Sequence, residues 1–105
     1  MKITAAVAHE PKAPFTLEEL DLEKPRANEV LVRMVGVGIC HTDLFIRDLG
    51  LNPESVLGHE GSGVVEEVGS QVTKVEPGDH VVLTYASCRD MWSVSEWGHG
   101  LLHRF

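Results

Sequence analysis

A chain of 105 residues has the usual size of one domain and, on folding, buries somewhat over ~60% of the surface its unfolded form exposes, so one core is expected. Apolar residues make up 43% of it and charged residues 24%, the balance of a globular chain and not of a disordered or fibrous one. With 9 Lys/Arg against 16 Asp/Glu the formal net charge is −7, and no basic cluster offsets it locally, which argues against nucleic acid and anionic membrane surfaces as partners.

The first residues form a short apolar run over 2–7 that meets His9-Glu10-Pro11 before a secretory stretch could develop, and residues 15–22 alternate apolar with polar until Lys24-Pro25 interrupts them. Both read as strands. The strongest strand signal spans 29–37, with Val30, Val32 and Met34 on one face and Leu31, Arg33 and Val35 on the other. Residues 42–48 fit one or two helical turns, with Thr42 able to cap the start and Gly50 to end it. A strand over 63–68, a Pro77-Gly78-Asp79 turn and a strand over 80–85 follow. Short strands at this spacing predict a mainly β barrel or sandwich. After Cys88 no hydrophobic period is sustained, although both tryptophans lie there.

Two cysteines, Cys40 and Cys88, are too few for a disulfide scaffold, and no apolar run reaches the ~20 residues of a membrane span. A reducing, cytoplasmic setting is expected, in which thiols are free to bind metal. Cys40 stands at the join of the strongest strand and the helical turn, where rigid elements aim side chains at a common point. His59 and Glu60 are hemmed by Gly58, Gly61 and Gly63, whose density lets backbone wrap closely around something. Zinc accepts thiolate, imidazole and carboxylate, and catalytic zinc sites use three protein ligands with a fourth position open. Cys40 and His59 supply two of those, with Glu60 as a supplement.

Gly58-His59-Glu60, Gly63, Gly69 and Val72 match every fixed position of the pattern G-H-E-x2-G-x5-G-x2-V. Together with Gly-Ile-Cys-His-Thr-Asp at 38–43 and Val-x-Pro-Gly-Asp-His-Val at 75–81, they make residues 2–88 resemble the amino-terminal, GroES-like catalytic domain of zinc-dependent medium-chain alcohol dehydrogenases, nearest the benzyl (aryl) alcohol branch. The resemblance implies a mainly β fold, a GroES-like, partly open antiparallel β-barrel with short helices, without the Rossmann domain of the whole family protein. It implies an enzyme that oxidises a primary, aromatic alcohol to its aldehyde with zinc and NAD. Carried over residue by residue, it makes Cys40 and His59 ligands of the catalytic zinc, with Glu60 beside the metal. Thr42 begins a proton relay, Asp43 orients His59 through its other ring nitrogen, and His41 reaches the cofactor's pyrophosphate. A homo-oligomer acting on small-molecule alcohols and aldehydes follows from the same resemblance.

Several features depart from the family pattern. Phe45 stands where many members place a second relay histidine, which suits a bulky or aromatic substrate and leaves proton release to water or His41. The interval from Cys40 to His59 is about two residues shorter than expected, trimming the loop around Leu51-Asn52-Pro53. Cys88 matches the first cysteine of the structural-zinc lobe, yet no Gly-x-Cys-x2-Cys follows, and neither a third catalytic ligand nor a Gly-x-Gly-x-x-Gly fingerprint occurs. Residues 1–88 are accordingly expected to be the family domain and 89–105 a tail foreign to it, the family sequence being truncated after 88 and the chain inactive alone. The plainer readings stand beside these. Thr42 and Asp43 could be a helix cap and its neighbour, His41 a solvated side chain and Cys88 a free thiol. His99 and His103, at i, i+4, fall one cysteine short of a metal finger. The rival function is a non-enzymatic GroES-like binding or scaffold module.

Overall fold

A computed structural model describes residues 1–50, 54–84 and 101–104. The mainly β, antiparallel architecture expected from the sequence is the one adopted, as a three-stranded and a four-stranded sheet. All five expected strands form. The chain divides into two compact units, Met1–Lys24 with Ile39–Gly58, and Pro25–Gly38 with His59–Phe105.

In the first unit, β1 (Lys2–Ala8) pairs antiparallel with β2 (Thr16–Asp21). Ile3, Ala5 and Val7 alternate inward along β1 while Lys2, Thr4 and Ala6 face solvent, the period of 2 that a half-buried strand imposes. Lys2 opposes Asp21 in the register and bonds its carboxylate at 2.7 Å. The other edge of β1 pairs with β4 (Ser55–Val56), giving the order β2-β1-β4. Two residues are too few to show any hydrophobic period, so β4 left no trace in the sequence reading. Helix α1 (His41–Leu49) completes the unit. It ends where expected, at Gly50, whose φ of 64° is the left-handed conformation that glycine adopts without a Cβ penalty.

The second unit is a sheet of β3 (Val30–Val37), β5 (Gly61–Val68), β6 (His80–Thr84) and β7 (Leu101–Arg104), in the order β3-β5-β6-β7. Strand β7 pairs antiparallel with β6 and lies in the stretch where the sequence shows no sustained period. Val65, Val75 and Val81 form the buried core, with Val30, Val32, Val68 and Val72 packed against it. Valine suits this place, since its branched Cβ is stiff and packs on a pleated surface. The Pro-Gly-Asp turn is pinned to β5: Gly78 N–H donates to Val65 O at 2.8 Å and Val65 N–H to Asp79 O at 2.9 Å. Strand β3 departs from the strict alternation expected of it. Register shifts at Leu31/Val32 and Met34/Gly36 leave Met34 and Val35 both exposed, at 44% and 70%. Neither sheet closes on itself among the described residues. Cys88, His99 and Leu51-Asn52-Pro53 lie outside the described residues, as does the side chain of His103.

Candidate metal centre

Cys40 is the last extended residue before α1, with φ −103° and ψ 149°. It, and not Thr42, is the N-cap: the helix begins at His41, one residue earlier than the sequence suggests, because Asp43 turns back to the chain entry. The Cys40 N–H donates to Asp43 Oδ2 at 3.1 Å, satisfying a backbone donor that the helix itself cannot pair. A carboxylate three residues after the cap was the available signal for this start. Thr42 is the second helical residue, and its Oγ1 lies 3.5 Å from Cys40 Sγ, the thiol donating. Cys40 is a free, half-buried thiol, Asp43 is buried at 7% exposure, and His41 is exposed. Phe45 is 58% exposed, on the same helical face as His41 by the i, i+4 spacing.

In the other unit, His59 and Glu60 precede β5. The imidazole Nε2 is 3.5 Å from Glu60 Oε1, with the histidine side chain at 13% exposure and the glutamate at 49%. Gly38 N–H donates to Glu60 O at 2.6 Å, so the strand end that leads into Cys40 is fastened to the residue that follows His59. Gly38 is glycine for space: a Cβ there would collide with the Glu60 carboxylate and come 3.0 Å from its Cβ. Nothing in the sequence pattern points to this Gly38–Glu60 pairing, which joins residues far apart in the chain.

The signature glycines at 63 and 69 serve packing. A Cβ at Gly63 would meet the Arg33 carbonyl and lie 2.7 Å from Val32 Cγ1, and one at Gly69 would strike the carbonyl oxygens of Arg26 and Ala27. Gly69 N–H donates to Glu29 O at 2.8 Å, closing that approach. Val72 packs on the valine core. The pattern therefore combines two chemistry-bearing side chains with two glycines that let neighbouring backbone pass closely and a valine that packs on the core.

These donors suit zinc by their chemistry: a free thiol, an imidazole and a carboxylate, all with some access to solvent. Residues 26–102 match the alcohol dehydrogenase GroES-like domain family. The NDMA-dependent alcohol dehydrogenase of Amycolatopsis methanolica is 51% identical over 87 residues, covering 81% of this chain and 24% of its own length. An alcohol dehydrogenase zinc-binding domain protein from Burkholderia ambifaria superposes with a TM-score of 0.80 at 52% identity, covering 84% of this chain and 24% of that one. The benzyl alcohol dehydrogenase of Acinetobacter calcoaceticus gives a TM-score of 0.79 at 47% identity, covering 84% and 25%. The chain spans about a quarter of the length of these relatives. It belongs to the alcohol dehydrogenase GroES-like domain family.

Proposed function

We propose that this chain supplies the zinc-binding, alcohol-activating part of an NAD-dependent alcohol dehydrogenase acting on a primary aromatic alcohol. The observation that carries the reading is the pair of motifs around Cys40 and His59, each leading into a defined element and each bearing a zinc-competent donor. In this reading Cys40 and His59 hold the ion, with Glu60 beside them. Bound zinc would lower the pKa of an alcohol so that hydride can leave its carbon. Thr42 takes the alcohol proton at Oγ1 while giving its own onward, to His41 or to water, since Phe45 offers no proton acceptor. Asp43, whose Oδ2 accepts the Cys40 N–H, holds the start of α1 and, as the family pattern implies, orients His59. Phe45, exposed on the helix, supports an aromatic wall for the substrate. The similarity to a benzyl alcohol dehydrogenase supports the same substrate class. A reducing, cytoplasmic setting, a homo-oligomer and a boundary near residue 88 belong to the same proposal.

Zinc titration of the purified chain tests it. One equivalent is expected to bind, and Cys40→Ser or His59→Ala should weaken binding at least tenfold. No binding, or binding indifferent to both substitutions, would overturn the zinc reading in favour of a scaffold. These 105 residues alone are not expected to oxidise benzyl alcohol with NAD, because no dinucleotide fingerprint occurs among them.

A further inference from the structure

Cys40, Thr42 and Asp43 all stand at the start of α1, so whatever sets the position of this helix sets theirs. Its far end is fastened to the connection between β1 and β2, inside the same unit, by contacts that converge on Asp48. Asp48 Oδ1 accepts the Lys12 backbone N–H at 2.9 Å. The same oxygen accepts from Arg47 Nε at 2.7 Å. The Arg47 guanidinium lies over the Phe15 ring, 5.4 Å from its centroid, with only 15% of the side chain exposed. Lys12 is held at φ 61°, a conformation that lysine rarely adopts, and the Asp48 bond faces the amide of this residue. Gly50 closes the helix so tightly on Pro11 that a Cβ would stand 2.9 Å from Pro11 Cγ. Arg47 first, and the Lys12 amide after it, hold the Asp48 carboxyl below the ordinary aspartate range despite partial desolvation.

The geometry points to Asp48 as a positioning residue: one carboxylate oxygen, shared by the Lys12 N–H and Arg47, fixes the roll of α1 and so aims Cys40 Sγ and Thr42 Oγ1 at the zinc. The inference rests on the zinc reading above. The lever is sensitive. A side-chain atom about 5 Å from a helix axis moves about 1 Å when the helix rolls by about 10°, against a tolerance of about 0.2 Å in a metal–ligand distance. Nothing at the motif itself marks Asp48, which lies two helical turns from the thiol.

Cobalt(II), a spectroscopic substitute for zinc, supplies the readout. The wild-type chain is expected to bind one equivalent with a thiolate-to-metal charge-transfer band that Cys40→Ser abolishes. Asp48→Ala should weaken cobalt affinity by roughly tenfold and change the visible band intensities while the helical circular dichroism persists. Asp48→Asn keeps an oxygen for the Lys12 N–H but drops the charge that Arg47 pairs with, and should fall between the two. An Asp48→Ala chain that keeps its helix and matches wild type in affinity and spectrum overturns the inference. If that variant does not fold, Asp48→Asn decides: a weakened or reshaped spectrum supports the positioning role, and an unchanged one overturns it. Absence of the Cys40-dependent band in wild type removes the zinc reading and this inference together, whereas a band indifferent to Asp48 removes the inference alone.

Discussion

Gly69 shows how a family pattern encodes two kinds of requirement at once. Histidine and glutamate at 59 and 60 carry donor atoms, while the glycines at 63 and 69 carry nothing and are needed for that reason: each faces a carbonyl where a Cβ would stand. Gly69→Ala is therefore expected to destabilise the chain by about 1–3 kcal/mol, because the backbone of residues 26–27 cannot give way as a flexible side chain would. Urea unfolding measures it, and a change under about 0.5 kcal/mol, the size of an ordinary surface substitution, would show that the approach relaxes at no cost. At this scale the sequence marks the candidate donors. Cys40 and His59 announce themselves by donor chemistry and by their glycine-rich surroundings. The sequence implies a part for Asp43 toward His59 but gives no sign of its bond to the Cys40 N–H, since a cysteine cap is unusual and Thr42 offers the better capping side chain.

Among the elements, β1 and β2 were legible because one face is half-buried and the other wet, which writes a period of 2 into the sequence. Their pairing creates something the sequence does not display. Glu18, on β2, accepts the Thr16 hydroxyl at 2.7 Å and approaches His9 Nε2 at 2.5 Å. The Thr16 hydroxyl, and then His9, hold the Glu18 carboxyl below the usual glutamate range. A lowered folded value means that the ionised group stabilises the fold fully above the unfolded value, about 4.3, and that this contribution is lost as pH falls through the folded value. Thr16→Val is expected to raise the Glu18 titration midpoint toward the ordinary range and to make stability less sensitive to acid over that window. Carboxyl NMR titration reads the first effect, and an unmoved midpoint would deny the hydroxyl its part. The start of α1 and the kinked register of β3 were harder to read, because a bulge or a cap is decided by hydrogen-bond geometry between residues and not by their hydrophobicity.

For the molecule as a whole, the buried core formed by the described residues of the second unit is small and made of valine. Val65 and Val81 are the largest fully buried side chains described, at 2% and 1% exposure. Val65→Ala should cost about 2 kcal/mol, a large share of the roughly 5–15 kcal/mol that holds a typical domain, since seven valines leave few long side chains able to fill the space. A shift of the denaturation midpoint smaller than that of an exposed Val35→Ala control would contradict the core assignment. What the sequence alone determined was the mainly β class and the family, and it singled out the side chains proposed to hold zinc, because hydrophobic periodicity and donor chemistry are local properties. Tertiary structure alone decided the pairing of β7 with β6, the addition of β4 to β1, the bond from Gly38 to Glu60 and the tether at Asp48. Each joins residues distant in the chain, through backbone groups or a shared oxygen, and no local pattern in the sequence records such a meeting.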